Sequence, residues 1–499
     1  MNQAALDLGH ELVIDLFAGG GGASCGIEQG IGRPVDIAVN HDPMAVAMHE
    51  ANHPGTKHFC ESVFKVNPIT VTGNQPVGLL WASPDCTHHS KAKGGKPVSA
   101  KRRGLAWVVI KWARRSRPRV IMLENVEEFE DWGPVIPKKG PDGEVLRFPD
   151  GKPQLVPCPD RKGQEFQKFI AQLERIGYQV EWRPLRACDY GAPTIRKRLF
   201  LIARRDGKAI VWPKASHGQP ESLPVRRGKQ KPYRTAAECI DWSIPCPSIF
   251  ERKKPLAENT LRRIAKGMQR FVIEAAQPFI IAIDHGGTRS GCNWSVEQPL
   301  TTITTENRHA VVVPTLIQTG FGERPGQAPR VPGLHKPLGT VVAGGSKHAL
   351  VTAFLAKHYG GVVGIPVTVP TGTVTTIDHH SLVAAFMAPY YGSGSGETGR
   401  DMRLPAPTAT TKDRLQLITV QIDGSTYVVT DIGMRMLQPR ELFKAQGFPD
   451  SYIIDPEYNG KPMPKYAQVR MCGNSVPPVW PRALVEANFA HEKKLEAIA

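Results

Sequence analysis

The sequence predicts an α/β fold, a doubly wound and mostly parallel sheet, joined to a second region rich in β-structure. Three observations carry this. Short apolar runs alternate with helical patterns through the first 210 residues, the signature of successive βαβ units. From about Ser216 to Thr430 the texture changes to β-branched residues, Thr, Gly and Pro. Helical patterns then return in Pro439–Gln446 and Val479–Leu495. The boundaries expected are 1–213, 214–430 and 431–499.

Taken in order, Leu12–Phe17 is a short apolar strand running into glycines. Val35–Val39 is a second, followed by a helical pattern over Pro43–Asn52. Val77–Ala82 reads as a buried strand. The next block, Lys91 to Arg119, holds eleven basic residues and no acid. Its first part, KAKGGKPVSAKRRG, reads as a loop; its second, LAWVVIKWARRS, reads as a helix with Trp107, Val108 and Ile110 for a core. Arg119–Leu123 is a strand. The insert Pro134–Pro159, rich in Pro, Gly and charge, reads as an excursion loop. Glu165–Ile176 is a helix, and Gln179–Arg183 and Arg198–Ala203 are strands. In such sheets ligands sit at the C-terminal ends of the strands.

The β-rich region contains an internal repeat over about 298–420. Pro299-Leu-Thr-Thr302, Pro337-Leu-Gly-Thr340, Pro370-Thr-Gly-Thr373 and Pro405-Ala-Pro-Thr408 are spaced 38, 33 and 35 residues apart. His309, His348 and His380 recur after the first three. Each unit reads as two short strands joined by a polar turn. Stacked strands account for such an array as well as direct contact with a ligand does.

Composition narrows the function. At 499 residues the chain exceeds one folding unit. Hydrophobic residues at 41 % and charged residues at 22 % exclude disordered, collagen-like and coiled-coil classes. No run of about 18 apolar residues exists, so no transmembrane helix is expected. The first seventeen residues lack the basic start and apolar core of a secretory leader. Nine cysteines without a CxxC pair argue against a disulfide scaffold or zinc ribbon, and a reducing cytoplasm is the expected compartment. Lys and Arg number 63 against 46 Asp and Glu, a net +17. That balance points to a polyanionic partner, nucleic acid or an anionic membrane surface. A second basic cluster, Arg226 to Arg234, reads equally well as a solvated face.

Three segments carry chemistry. Asp15-Leu-Phe17-Ala-Gly19-Gly-Gly21-Gly22 takes a strand through a glycine turn into a helix, a form that brings backbone N–H groups close to a ligand. It is not the G-x-G-x-x-G dinucleotide pattern. Pro84-Asp85-Cys86-Thr-His88-His89 places a cysteine between a strand end and the basic loop, where cations favour the nucleophilic thiolate. A metal site from Asp85, Cys86, His88 and His89 is disfavoured, because four ligands within five residues rarely converge on one ion. Glu124-Asn125-Val126 ends an apolar strand. That glutamate could be a helix cap, a structural carboxylate or a general acid with a raised pKa.

These segments, with Tyr190-Gly-Ala-Pro193-Thr-Ile-Arg196-Lys-Arg198, Arg435-Met-Leu-Gln-Pro439-Arg-Glu to Gly447-Phe-Pro449, and Gly473-Asn474-Ser475-Val476-Pro-Pro478, occur in that order. The set resembles the DNA (cytosine-5) methyltransferase family of bacterial and phage type, matching over residues 12–205 and 431–485. The resemblance implies the S-adenosylmethionine-dependent methyltransferase fold, with 431–499 completing the catalytic core and 214–430 recognising the target. It implies methyl transfer to C5 of a flipped-out cytosine in double-stranded DNA, in the setting of restriction-modification, by a monomer in the cytoplasm.

By the same resemblance, Cys86 attacks C6 of the base, Glu124 bonds N3 and the exocyclic amine, and Arg196 and Arg198 hold the base and its phosphate. Asp15, Phe17, Gly19, Gly21, Gly22, Asn40, His41, Glu61, Ser62, Asp85, Asn474, Ser475 and Val476 fall at positions that bind S-adenosylmethionine. Lys91, Lys93, Lys96, Lys101, Arg102 and Arg103 fall on the loop that closes on DNA. No metal is implied.

The departures concern the donor. Asp85, Thr87 and His89 stand where the family has Pro, Gln and Phe; Asn40 replaces a common acid and Glu61 a common Asp. A modified sulfonium donor, such as carboxy-S-adenosylmethionine, giving a larger C5 alkyl group is the alternative within the mechanism. A catalytically silent DNA-binding relative is the alternative outside it, opposed by the presence of Cys86, Glu124, Arg196 and Arg198. A thymidylate-synthase-like cysteine enzyme fits the chemistry but not the motif order.

Overall fold

The computed structural model describes residues 11–85, 89, 99–241 and 425–489, with shorter stretches between 244 and 422. The chain forms two compact units. One comprises Met1–Cys239, Pro337–Gly345 and Pro439–Ala499; the other comprises Ile240–Lys336 and Ser346–Gln438.

The first unit is built on a seven-stranded sheet. Its strands are β1 (Leu12–Leu16), β2 (Ile37–Asn40), β3 (Lys57–Cys60), β4 (Val77–Ala82), β5 (Val120–Asn125), β8 (Gln179–Arg186) and β9 (Lys197–Arg204), in the spatial order β3-β2-β1-β4-β5-β9-β8. The five strands from β3 to β5 are parallel, and β9 runs antiparallel to both its neighbours. The order reverses direction at β1, between β2 and β4. Such a switch opens a crevice at the strand C-termini. Strands β1, β4 and β5 are buried along their whole lengths, as sheet covered on both faces requires.

Helices cover both faces. Helix α1 (Gly22–Ile31) ends at the left-handed Gly32, and α2 (Pro43–Asn52) starts with Asp42 accepting from the Met44 N–H at 3.0 Å. Helix α4 (Trp107–Arg115) follows the short α3 (Pro68–Thr72). It buries Val108, Val109, Ile110, Trp112 and Ala113, while Arg114 and Arg115 face outward at its C-terminal turn. Helix α5 (Gln164–Arg175) buries Phe166, Phe169, Ile170 and Leu173 on the same face of the sheet. The other face holds Trp81, Phe200, Trp480, Leu484 and Phe489. The last three come from α8 (Val479–Phe489), which lies against α1; a Cβ on Gly26 would strike the Pro478 carbonyl. The C-terminal segment is therefore part of the first unit's core, together with α6 (Pro439–Ala445) and α7 (Lys465–Asn474).

Several expectations shift. The insert at 134–159 is an ordered ribbon: β6 (Val135–Pro137) pairs antiparallel with β7 (Leu155–Pro157), and bridges Lys139–Val145 and Arg147–Pro153 continue the pairing. Strand β3 and helix α7 were not expected. The first compact unit runs to Cys239 rather than 213, and it regains Pro337–Gly345 from within the repeat region. There Leu338, 1 % exposed, donates its N–H to Pro193 O and accepts from the Ile195 N–H, each at 2.8 Å.

The second unit contains a six-stranded antiparallel sheet. Its order is Asn293–Ser295, Phe279–Ala282, His309–Gln318, His348–His358, Ser425–Met436 and Thr419–Ile422. His309 and His348 each open a long strand, and the two strands pair directly with Gln318 opposite His348. These repeat units thus contribute long neighbouring strands. His380 and the first, third and fourth Pro-x-x-Thr segments lie outside the described residues.

Candidate active site

The glycine turn lies at the C-terminal end of β1. Phe17, Gly19 and Gly21 have φ of 63°, 56° and 89°, so the chain passes through the left-handed region three times before α1 begins. Gly21 has no side chain with which to cap α1. A Cβ on Gly22 would run into Ser475 Oγ and the Val476 carbonyl, so this turn and the 474–476 turn need a glycine between them. Two buried polar atoms here, Asp15 Oδ1 and Ser475 Oγ, have no hydrogen-bond partner among the described residues. The other Asp15 oxygen accepts from Ser24 Oγ at 2.8 Å. Burial lifts the Asp15 pKa to about 7, against the lowering effect of Ser24.

Further residues expected around a donor fall at neighbouring strand ends. Asn40 closes β2, and its Oδ1 accepts from the Asp42 N–H at 2.9 Å. His41 is exposed, and Ser62 is partly buried just beyond β3. Glu61 is exposed and paired with Lys65 at 3.4 Å. Ser475 and Val476 are buried against the glycine turn, whereas Asn474 is exposed.

Glu124 is the penultimate residue of β5, at 7 % exposure. Its Oε1 lies 3.3 Å from Arg198 Nε, a residue of the adjacent β9. Burial raises the Glu124 pKa, opposed first by Arg198 and then by Arg196. Asn125 donates through Nδ2 to Pro84 O at 3.1 Å, fastening the end of β5 to the segment that leads to Cys86. Arg196, 3 % exposed, donates to Gly473 O at 3.0 Å. It is thus a strut between the β9 region and the 474–476 turn.

Cys86, Lys91, Lys93 and Lys96 lie outside the described residues, as does the side chain of Lys101. Asp85 faces Arg102, with Oδ2 3.8 Å from Nη1. Arg103 departs from the expectation of a DNA contact. It is 4 % exposed, its Nη2 donates to Gly133 O at 3.4 Å, and it is part of the interior. His89 rests edge-on against Phe129 and Trp132 at 5.2 and 5.9 Å. Among the described residues no group of three or more His, Cys, Asp or Glu is arranged to hold a metal ion, and no helix is long and apolar enough to cross a membrane.

A polar cluster beneath the glycine turn escaped the sequence reading. His49 Nε2 lies 3.0 Å from Ser24 Oγ, and its Nδ1 lies 2.7 Å from His58 Nε2. Tyr452 donates to Gly20 O at 2.5 Å and lies 3.3 Å from His53 Nε2. The available signal was four histidines within eighteen residues after the glycine turn, at 41, 49, 53 and 58. Nothing local linked them to Tyr452.

The sequence model for C-5 cytosine-specific DNA methylases matches residues 12–131, 158–259 and 372–489. Its first gap coincides with the ribbon. The chain is 27 % identical over 311 residues to the Type II methyltransferase M.SacI of Streptomyces achromogenes, 58 % of this chain and 70 % of that one. It is 25 % identical over 247 residues to the Type II methyltransferase M.AquIA of Picosynechococcus sp., 47 % of this chain and 89 % of that one. With the matched segments spanning most of the chain and carrying both the glycine turn and Glu124, the protein belongs to the C-5 cytosine-specific DNA methylase family.

Proposed function

We propose that this chain transfers the methyl group of S-adenosylmethionine to C5 of a cytosine turned out of duplex DNA, through a covalent bond between Cys86 and C6. The observation that carries the reading is the pairing of buried Glu124 with Arg198, beside an Asn125 that fastens Pro84 two residues before the cysteine.

The chemistry follows from the groups present. C5 of cytosine is a poor carbon nucleophile. Addition of the Cys86 thiolate to C6 makes C5 enamine-like, while a proton on Glu124 meets the charge developing at N3. Burial raises the Glu124 pKa, the direction that favours a carboxyl able to carry this proton. Arg198 keeps that carboxyl in place. Loss of the C5 proton after transfer then expels the thiolate and restores the ring. Turning the base out is required because neither face of C5 and C6 can be reached in the stack.

The donor supplies an electrophilic methyl on a sulfonium leaving group. The residues present fit it: a glycine cradle at the start of α1, Asp15 Oδ1 and Ser475 Oγ without a hydrogen-bond partner among the described residues, and Asn40 at the end of β2. Phe17, Gly19, Gly21, Gly22 and Val476 would line its site, and Arg102 with Lys91, Lys93, Lys96 and Lys101 would meet phosphates.

A duplex carrying 5-fluorocytosine at the target tests the covalent step. Fluorine cannot leave as a proton does, so the expected product is a DNA–protein adduct stable to denaturing electrophoresis. Cys86→Ala should form none. An adduct that persists in Cys86→Ala, or none with the wild type under turnover, contradicts the mechanism.

A further inference from the structure

We propose that Tyr452 and His53 are positioning residues for the donor turn, so that a part of the chain some 400 residues away sets the shape of the S-adenosylmethionine site. This rests on the reading that the Gly19–Gly22 turn binds that donor.

The geometry is specific. The Tyr452 hydroxyl has one proton, and its nearest acceptor is Gly20 O at 2.5 Å. Its oxygen lies 3.3 Å from His53 Nε2. His53 in turn donates through Nδ1 to Glu28 Oε2 at 2.8 Å, and Glu28 Oε1 accepts from the Val35 N–H at 3.1 Å. Glu28 lies on α1, the helix that the turn begins. The chain of close polar contacts therefore leaves the turn at Gly20, passes through the C-terminal segment, and returns to the same helix. Tyr452 and His53 are 4 % and 3 % exposed.

They also fill the volume under the turn. A Cβ on Gly21 would meet the Tyr452 hydroxyl and His53 Nε2 before anything else. Around them, Asn52 and Ile453 exchange two hydrogen bonds, side-chain amide to backbone, at 2.8 and 2.7 Å. Arg440 donates to Tyr452 O at 2.7 Å, and the Phe448 ring packs on Tyr452 at 4.7 Å. The tyrosine is thus fixed at its backbone, its ring and its hydroxyl, and the hydroxyl is the part that touches the turn. Loss of the hydroxyl leaves a buried carbonyl without its partner, in a turn with three left-handed residues. The relaxation falls on the turn, because the ring and its backbone stay held.

Tyr452→Phe separates this from a packing role, since it keeps the ring and removes the hydroxyl alone. The full chain is titrated calorimetrically with S-adenosylhomocysteine, and KM for S-adenosylmethionine, kcat, Kd for duplex DNA and Tm are measured alongside. The expected result is about tenfold weaker donor binding and an equal rise in donor KM, the effect of losing roughly one buried hydrogen bond. Values of kcat at saturating donor and of DNA Kd should stay within about twofold of wild type. His53→Gln should move donor binding in the same direction, and the double variant should fall short of the sum of the two. The exposed Tyr466→Phe should change nothing. Donor Kd and KM within twofold of wild type in Tyr452→Phe overturn the inference. So does a parallel fall in kcat, DNA binding and Tm, which would mark the residue as structural alone. A wild type that binds no S-adenosylhomocysteine overturns the donor reading and the inference with it.

Discussion

Asp15 is fully buried near the end of β1, one oxygen bonded to Ser24 and the other without a hydrogen-bond partner among the described residues. Its pKa stands at about 7 against 3.8 for the free group. A carboxyl whose folded pKa is raised stabilises the fold fully below its unfolded pKa, and loses that contribution as pH rises through the folded value. The window is therefore about pH 4 to 7. Asp15→Asn, which cannot ionise, should gain in Tm relative to wild type as pH rises across this window and hold the gain above it. Differential scanning fluorimetry from pH 4 to 8 checks this; a Tm difference independent of pH contradicts it. At this scale the sequence was a partial guide. Asp15, Glu124 and Arg198 could be singled out because each ends or begins an apolar strand beside chemistry-bearing neighbours. The burial of Arg103 could not be, because a basic run looks the same whether a member faces solvent or turns inward to Gly133 O. Tyr452 was hidden for a different reason: its partner Gly20 is 432 residues away, and no periodicity spans that distance.

Elements were legible where their residues obeyed one period. Val77–Ala82 and Pro43–Asn52 were read to the residue, the first as a continuous apolar run and the second from its helical pattern. Strand β3, Lys-His-Phe-Cys, has no fully buried residue and no alternation to read; it forms because β2 offers a parallel edge. Helix α7 carries Lys, Tyr, Gln and Arg among its first six residues, yet buries Ala467, Val469, Met471 and Cys472 once the core around α6 is present. The ribbon is a different case. Its strands β6 and β7 pair with each other, it stands in a gap of the matched family segments, and Cys158 N–H bonds Pro134 O at 2.9 Å across its base. Trp132 and Cys158, at 3 % and 7 % exposure, close the core beneath it. Replacing residues 135–157 by a short Gly-Ser turn should therefore leave Tm within about 3 °C of wild type, since few buried contacts are lost. A fall beyond about 10 °C would show that the ribbon supports the core.

For the whole molecule, the net charge of +17 (63 minus 46) pointed to a polyanion, and the family assignment makes that partner DNA. The discontinuity of the first unit was legible through the family resemblance, which brings Gly473 to Val476 to the glycine turn; there a Cβ on Gly22 would run into Ser475 Oγ. The return of Pro337–Gly345 to that unit was not legible, because the repeat unit that begins with Pro-x-x-Thr recurs four times over about 298–420 and one copy carries no mark of its position. The donor identity rests on the glycine cradle and the unpartnered atoms around it, and the transferred group follows from the donor. The most direct test is mass spectrometry of nucleosides from duplex DNA incubated with the full chain and S-adenosylmethionine. The expected new nucleoside is 5-methyl-2′-deoxycytidine, absent with Cys86→Ala. A heavier C5 adduct, methylation at a ring substituent other than C5, or unmodified DNA would contradict it.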